Sequence, residues 1–501
     1  MRYAALGLIL LPCVATAQPT ALRLDDRLAL EGHVDNGNRL TDDDDYGAAL
    51  ERLIVTGNAG ALTASVEIDA ELFQGRPSAA YQDDARLERI SVGYDLDDWQ
   101  VTLGDLHRQL GRGIVLSLRK IDELGEDTTL QGGQLSLSLD DHEADLFAGR
   151  TNASQLDAVS QKHTEDPGDV IAGGAYSFHG LSWLTVGVHG LHLRPRVDVL
   201  PEEGQDHASA LGAFLETPPL GDVLAIYLEA DWEGRHVAGQ GEQAKAMYGS
   251  ADLTLGAVDV LLEGLLLDHF FVRGSPNTLL RKPFDYAQPP TLERFDQEVI
   301  DNTNTRGGRA KVSYALLEGD LVPYVNAMYR QNDPGDEAQL DQLHAYVGVD
   351  LAYQDGRSRV GLSGGWRRER QQDEIVKGMI HGDVDWLQAL PAAWALHLTV
   401  SHESRELAGR DYLRGTTLVG LEKGGLGAAT AEIGYDTQDD SGDVRQVFVA
   451  GILSWETSPD LALRATGGNQ RGGLKCVAGV CRDFPAFSGG RLEIVARHDL
   501  L

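Results

Sequence analysis

Acidic side chains fall on the polar face of several short alternating segments, often at every second position. The set comprises Glu67, Asp69, Glu71, Glu229, Asp231, Asp350, Asp383 and Asp385. Because successive side chains of a β-strand point to opposite faces, carboxylates two residues apart would form a row on one face. Such a row, between walls of low dielectric constant, would favour cations over anions. We therefore predict that these residues line a wet interior and give it a preference for cations.

Arginine side chains add a second kind of charge to this interior. Arg112 and Arg119 belong to the densest basic cluster of the chain, together with Arg108 and Lys120, and Arg367 is on an inward position of a later segment. Two interpretations of the cluster stay open. It is either an inward-folded segment that narrows a pore and sets its cations against lumenal acids, or an ordinary bulged strand and loop with solvated charges. Arginines paired with the acids would fill the interior or form an electrostatic ladder across a constriction.

Two cysteines lie close together near the end of the chain. Cys476 and Cys481 are separated by four residues, which is near enough to close one loop. In an oxidising compartment a disulfide is the default expectation for such a pair. No histidine stands at ligand spacing, so the pair is a poor zinc site. We predict a disulfide, no metal site and no cofactor.

Motifs of calcium sites and hydrolases are incomplete in this chain. Residues 42–45 begin like a calcium loop, but the twelfth position holds Leu53, where a bidentate glutamate is required. His402 with Glu403, and a second His-Glu pair at 142–143, lack a nucleophile elbow or an HExxH spacing. A divalent ion held loosely between acidic loops stays open. We predict that the protein is not an enzyme.

These side chains belong to an alternating pattern that recurs along the chain. In residues 62–72, leucine, alanine, valine and isoleucine occupy the even positions, while threonine, serine, glutamate and aspartate occupy the odd ones. Alternation of this kind is typical of a strand with one apolar and one wet face, and it recurs about two dozen times without a sustained helical period. Aromatic residues repeatedly end the apolar run, as at a lipid headgroup boundary. They include Trp232, Tyr353, Trp386 and Trp455.

The connections between these segments are of two kinds. Short ones carry glycine, proline, asparagine or aspartate where a tight turn needs unusual backbone angles, as in residues 354–357 and at His179 and Gly180. Long polar ones include residues 41–46, 151–168, 195–207, 273–305 and 331–339. Short turns that alternate with long loops are typical of a bacterial outer-membrane barrel.

The fold predicted from this alternation is an all-β, transmembrane, antiparallel up-and-down β-barrel. Pairing the segments gives about 24 strands, within a range of roughly 18 to 26. Residues 22–34 and 490–500 must then pair to close the barrel. A soluble β-sandwich or a solenoid is the alternative, but a sandwich rarely needs so many hairpins and a solenoid should show a repeat of fixed length.

The N-terminal residues and the composition favour the cell envelope. Residues 1–17 have the positive region, apolar core and small-residue cleavage site of a signal peptide, so residues 18–501 form the predicted barrel domain. No later segment reaches the roughly 18 uninterrupted apolar residues of a membrane helix. A net charge of -34 over 501 residues argues against nucleic acid as a partner. The expected partners are outer-membrane lipids, the barrel-assembly machinery and small hydrophilic solutes.

One part of the chain resembles a known family. Residues 99–105 end a strand in Gly-Asp, residues 109–116 form a glycine-flanked run, and residues 123–133 return through an acidic, threonine-containing stretch to Gly-Gly. Residues 288–292, before the strand at Gly308, are similar too. This pattern resembles an uncharacterised family of porin-like outer-membrane β-barrels known mainly from Bacteroidetes-type bacteria. The resemblance implies a barrel and no defined activity.

Two functions follow from these features. The first is a porin-like outer-membrane channel or exporter for hydrophilic solutes that prefers cations. The second is a filled barrel that acts as a surface scaffold, adhesin or receptor through its long outer loops. An open interior would leave acids facing water, whereas a plugged interior would pack its inward positions with large or paired side chains.

Overall fold

The computed structural model describes most of the chain. It covers residues 21–39, 44–157, 159–164, 166–196, 206–237, 240–277, 282–293, 303–372, 374–439, 442, 444–477 and 480–500, and for residues 276, 277, 282, 475–477, 480 and 481 it describes the backbone only. The predicted signal peptide lies outside the described residues.

The described residues form strands almost throughout, because alternating apolar and polar side chains suit a pleated, half-buried surface. In chain order the strands are β1 (Ala21–His33), β2 (Gly47–Ala59), β3 (Leu62–Gln74), β4 (Asp84–Leu96), β5 (Trp99–Leu106), β6 (Arg108–Leu110), β7 (Leu116–Leu118), β8 (Lys120–Ile121), β9 (Glu126–Leu139), β10 (His142–Ala153), β11 (Val170–Leu181), β12 (Leu184–Arg194), β13 (His207–Glu216), β14 (Leu224–Val237), β15 (Gln240–Leu255), β16 (Val258–Asp268), β17 (Arg273–Asn277), β18 (Lys282–Asp285), β19 (Thr305–Tyr314), β20 (Leu321–Asn332), β21 (Leu340–Tyr353), β22 (Ser358–Gln371), β23 (Glu374–Leu390), β24 (Trp394–Leu407), β25 (Arg410–Lys423), β26 (Gly427–Asp436), β27 (Val447–Ser458), β28 (Leu461–Gln470), β29 (Gly473–Val477), β30 (Val480–Phe484) and β31 (Phe487–Asp499). Two short 3₁₀ helices span Asp122–Leu124 and Leu317–Gly319.

Twenty-four of these strands close into one antiparallel ring. The ring runs through β1–β5, β9–β16, β19–β28 and β31, and β1 pairs with β31 to close it. The two-residue strand β8 pairs with β9 beside the ring, and the pairs β6–β7, β17–β18 and β29–β30 are separate hairpins. The predicted fold class and the predicted pairing of the first and last strands are confirmed.

The two faces of the wall have opposite character. Large apolar side chains point outward and stay exposed, among them Leu72, Leu146, Leu211, Ile380 and Leu453. The aromatic residues Trp232, Trp366, Trp394 and Trp455 are exposed on the same outer surface. An apolar band with aromatic residues at its edges is the surface that a bilayer requires. Among the described residues, no helix is long and apolar enough to cross a membrane.

The short turns follow the predicted chemistry with one error. Gln354 and Asp355 adopt positive φ angles of 55° and 56°, as a tight hairpin turn requires. The turn predicted at His179 and Gly180 is wrong by three residues, because β11 continues to Leu181 and the chain reverses at residues 182–183 before β12 begins at Leu184. Its pairing with β12 shifts register after Phe178, and this irregularity takes up the extra residues.

The two cysteines face each other in the β29–β30 hairpin. Cys476 and Cys481 are directly opposed in its antiparallel register. Their side chains lie outside the described residues, so the disulfide stays a prediction. Directly opposed residues of an antiparallel pair have the Cα separation that a disulfide needs.

We predict that an arginine on the outer face destabilises the barrel only at membrane depth. Val347 lies in the middle of β21 and is 58% exposed, whereas Leu317 lies in a short turn and is 68% exposed. Val347→Arg should lower the free energy of unfolding by about 2–4 kcal/mol, and Leu317→Arg by about 0–1 kcal/mol. Denaturant unfolding in lipid vesicles measures both values. Equal losses would contradict the assignment of the outer face to lipid.

Candidate functional site

The wall strand β5 ends early because the chain turns into the barrel after Leu106. The carboxylate of Asp105 takes over hydrogen bonds at the point of departure. It accepts from the backbone N of Ile90 at 2.9 Å, from Thr129 Oγ1 at 2.9 Å and from Asn152 Nδ2 at 2.7 Å. The side chain thus seals the wall where the ladder between β4 and β5 stops.

Residues 107–125, which we call the inner segment, pack inside the barrel through an apolar core. Ile114, Val115 and Leu116 are fully buried, and Leu110 and Leu118 nearly so. They share one cluster with inward side chains of the wall, including Leu130, Phe147, Ile171, Leu191, Leu193, Ala208, Ala246, Leu265 and Leu267. The expectation that inward positions are polar is therefore wrong on this side of the barrel, where lumenal side chains bury apolar surface against the inner segment.

A second inward segment comes from the long loop after β16. Phe270, Val272, Tyr286 and Leu292 of this loop are buried in the same cluster. We call residues 270–277 and 282–293 the loop segment. Together the two segments fill one side of the lumen.

Backbone hydrogen bonds join the two segments. Gln288 donates from its backbone N to the carbonyl of Gly113, and Ser117 donates in the same way to the carbonyl of Tyr286, both at 2.8 Å. Arg119 donates from Nε to Gln288 Oε1 at 2.9 Å. Arg119, predicted to line a pore, therefore contacts the loop segment.

The tip of the inner segment meets the acidic wall at Glu229. The backbone N of Arg112 donates to Glu229 Oε2 at 2.9 Å, and the Arg112 guanidinium lies 4.3 Å from the ring centroid of Tyr227. Gly111 has a positive φ of 52°, and a Cβ atom there would lie 2.0 Å from Glu229 Oε1. Glycine is therefore required for this close approach.

Two more arginine contacts set the inner segment against lumenal acids. Arg108 pairs with Asp145 at 2.6 Å, and the Arg112 guanidinium lies 3.5 Å from a carboxylate oxygen of Glu216. Of the two interpretations of the basic cluster, the geometry agrees with an inward-folded segment whose cations face acids.

The acids predicted on β3 point inward and are paired. Glu67 and Asp69 contact the Arg52 guanidinium at 2.9 and 2.7 Å. Glu71 contacts Arg86 at 3.0 Å. All three carboxylates are buried, so a mixed ladder of acids and arginines covers this part of the wall.

A buried chain of hydrogen bonds ties the loop segment to the wall strands β21 and β23. Glu293 lies 2.7 Å from His344 Nδ1, His344 Nε2 lies 3.1 Å from His381 Nε2, and His381 Nδ1 lies 3.1 Å from Asp383. Each bond needs one proton, whereas two neutral imidazoles carry only two. Three simultaneous bonds thus require one additional proton in the chain.

Nearer the short turns, the inward face meets water. Asp350 is exposed, and Asp385 lies 3.9 Å from Arg359, with both side chains about half exposed or more. Asp385 also contacts His397 at 2.7 Å. In contrast, Arg367 lies deeper in the barrel, where it is buried against Glu369.

The residues predicted from sequence to line the lumen thus lie in several separate parts of it. Glu229 and Asp231 lie together beneath the inner segment, Asp383 belongs to the histidine chain, and Asp350 and Asp385 face the wet region. The alternating pattern puts His344 and His381 on inward positions, but the sequence predicts no role for these two histidines or for His189. They are single histidines in alternating strands, and only the strand register brings them to their partners.

Comparisons with known proteins support the fold. No protein-family model matches the chain, and no curated protein matches it. The siderophore receptor PirA from Pseudomonas aeruginosa is similar in structure, with a TM-score of 0.51, 9% sequence identity, and coverage of 96% of this chain and 81% of that chain. The translocation pore of the P pilus usher PapC has a TM-score of 0.46 and 10% identity over 96% of this chain and 99% of that chain. OccK3 (OpdO) from P. aeruginosa has a TM-score of 0.43 and 14% identity over 71% and 92% of the two chains. This chain has the fold of outer-membrane β-barrels.

We predict that the long loop between β10 and β11 becomes less stable in acid. His163 lies 3.1 Å from the carbonyl of Gln82 through Nε2 and 3.5 Å from Arg86 Nη2 through Nδ1. Burial and the Arg86 guanidinium lower the pKa of His163. His163 binds a proton more tightly when its loop is detached from the barrel than when the loop is in place. The loop is therefore fully stabilised above a pH of about 6.5, and this stabilisation is lost as the pH falls below that value.

Hydrogen exchange measures this loosening. Between pH 7.5 and 5, protection of residues 159–164 should fall relative to the wall strands, after correction for intrinsic exchange rates. His163→Gln, which cannot gain a proton, should remove the difference, and His142→Gln on the outer face should not. An identical pH response in wild type and His163→Gln would refute the assignment.

Proposed function

We propose that the protein is a porin-like outer-membrane channel for small hydrophilic solutes, narrowed by the inner segment. The observation that carries the proposal is the mixed character of the lumen. One side is filled by the inner and loop segments, while inward charges near the short turns face water. A lumen that is filled on one side and wet near the short turns supports a constricted passage.

The inner segment is suited to form a constriction because both apolar packing and charged contacts hold it against the wall. Its apolar core holds it against the wall, and Arg112 places a guanidinium between Tyr227 and Glu216. Fixed charges at a narrow point act strongly on passing ions, since low-dielectric walls focus the field. We propose passage of solutes, with no catalytic step.

The proposal includes a modest preference for cations. The wet region carries Asp350 and Asp385, but Arg359 lies beside Asp385. An arginine next to the acids reduces the local negative potential, so the preference should be weak.

Membership in the Bacteroidetes-type family stays a prediction, as do cleavage of a signal peptide and the roles of the barrel-assembly machinery and membrane lipids as partners.

One observation favours the alternative of a filled scaffold. Arg482 from the β29–β30 hairpin donates to the carbonyl of Leu124 at 3.0 Å and pairs with Asp157 of another outer loop. Interlocked outer segments of this kind would also suit a binding surface above a closed lumen. Conductance separates the two functions.

We predict stable conductance steps from the refolded protein in planar lipid bilayers. The double variant Arg112→Ala with Arg119→Ala should raise the single-channel conductance to cations, because it removes two positive charges and side-chain volume from the constriction. Arg357→Ala is the matched control, since its side chain is 70% exposed in a short turn. A folded, heat-modifiable barrel that gives no steps would overturn the channel and favour the scaffold.

We also predict that ion selectivity depends on the wet region. Asp350→Asn combined with Asp385→Asn should shift the reversal potential in a KCl gradient toward anions, because two lumenal charges are lost. Asp355→Asn, whose side chain is 98% exposed in a turn, should leave the reversal potential unchanged. Equal reversal potentials in all three proteins would rule out these acids as the selectivity determinant.

A further inference from the structure

We propose that His189, Glu229 and Asp231 form a binding site for one divalent transition-metal ion of the zinc class inside the barrel. Each of the three residues offers one ligand atom, and these atoms all lie within 4.8 Å of one another. His189 comes from β12, and the two acids come from β14. The site therefore spans three neighbouring wall strands.

A glycine on the middle strand makes room for the cluster. Gly212 of β13 lies between the imidazole and the acids, and a Cβ atom there would lie 1.9 Å from Asp231 Oδ1 and 2.4 Å from His189 Nε2. With no side chain at Gly212, His189 Nε2 approaches Asp231 Oδ1 to 2.8 Å and Glu229 Oε1 to 3.6 Å. These separations suit two ligands bound side by side to one ion.

The three ligand residues carry polar atoms that the protein leaves without a hydrogen-bond partner. His189, Glu229 and Asp231 are all more than nine-tenths buried. Within the described part of the chain, His189 Nδ1, Glu229 Oε1 and Asp231 Oδ2 have no hydrogen-bond partner. A buried polar atom without a partner costs free energy, and a bound cation would remove that cost for the carboxylates.

The charge balance of the cluster points to a cation. Several other buried lumenal carboxylates contact a guanidinium, as Glu263 contacts Arg309 and Glu369 contacts Arg367. Among the described residues, no lysine or arginine forms an ion pair with Glu229 or Asp231. Two buried carboxylates that share one imidazole carry a net negative charge, which a divalent ion would neutralise.

The donor set selects the class of ion. One imidazole nitrogen and two carboxylate oxygens match zinc and its first-row neighbours, whereas calcium prefers six to eight oxygen ligands. Because Glu229 Oε2 accepts from the backbone N of Arg112, an ion on the other oxygen would also fix the tip of the inner segment. The inference does not depend on the channel proposal.

Zinc binding to the full chain tests the site. The refolded protein in detergent is freed of metal with a chelator, its heat-modifiable mobility is checked, and zinc is titrated by calorimetry. We expect one equivalent to bind, and either His189→Gln or Asp231→Asn to weaken binding by at least about tenfold. His142→Gln, an exposed histidine on the outer face, is the control and should bind zinc as wild type does.

Further measurements separate loss of ligands from loss of folding. Gly212→Ala would fill the space between the ligands and should abolish zinc binding even where a folded barrel forms. Cobalt in place of zinc should give an absorption band in the wild type that His189→Gln alters. The proposal is overturned if folded wild type binds no zinc, if His189→Gln and Asp231→Asn bind zinc as well as wild type, or if calcium binds as tightly as zinc.

Discussion

The rest of the structure depends on one constraint, which is that backbone N–H and C=O groups at membrane depth must find partners within the protein. The ring meets this constraint by pairing β1 with β31. The critical point is where β5 leaves the ring, because an N–H of β4 would lose its partner there. The Asp105 carboxylate accepts from the backbone N of Ile90 and so supplies the hydrogen-bond partner that β5 no longer provides. The inner segment can thus enter the lumen without opening the wall.

Closure of the ring decides where chemistry can be placed. The outer face must stay apolar along its whole circumference, so charged groups are concentrated on the inner face. A ring of this many strands encloses more space than its own inward side chains fill. The chain fills part of that space with the inner and loop segments, which bury apolar side chains on one side, while arginine and carboxylate pairs such as Arg52 with Asp69 cover another.

The outer face could be predicted from sequence, but the inner face only in part. Alternation identified Trp232 and Ile380 as outward, since lipid demands apolar residues there and only there. It fails on β12, where Leu191 and Leu193 point inward and His192 points outward. The inner face is apolar at that place because the inner segment covers it, and the pattern of a single strand carries no information about a segment more than 60 residues away.

Register explains the other residues that the sequence did not bring together. His189 meets Asp231 across an intervening strand, and this contact exists because Gly212 lies between them. The position of Gly212 is fixed by the pairing of β13 with both neighbours. Glu229 then links two systems, since one of its oxygens accepts from the inner segment and the other faces the imidazole. A change in the charge state of this cluster would therefore act on the hydrogen bond that Glu229 accepts from the backbone N of Arg112, and through it on the tip of the inner segment.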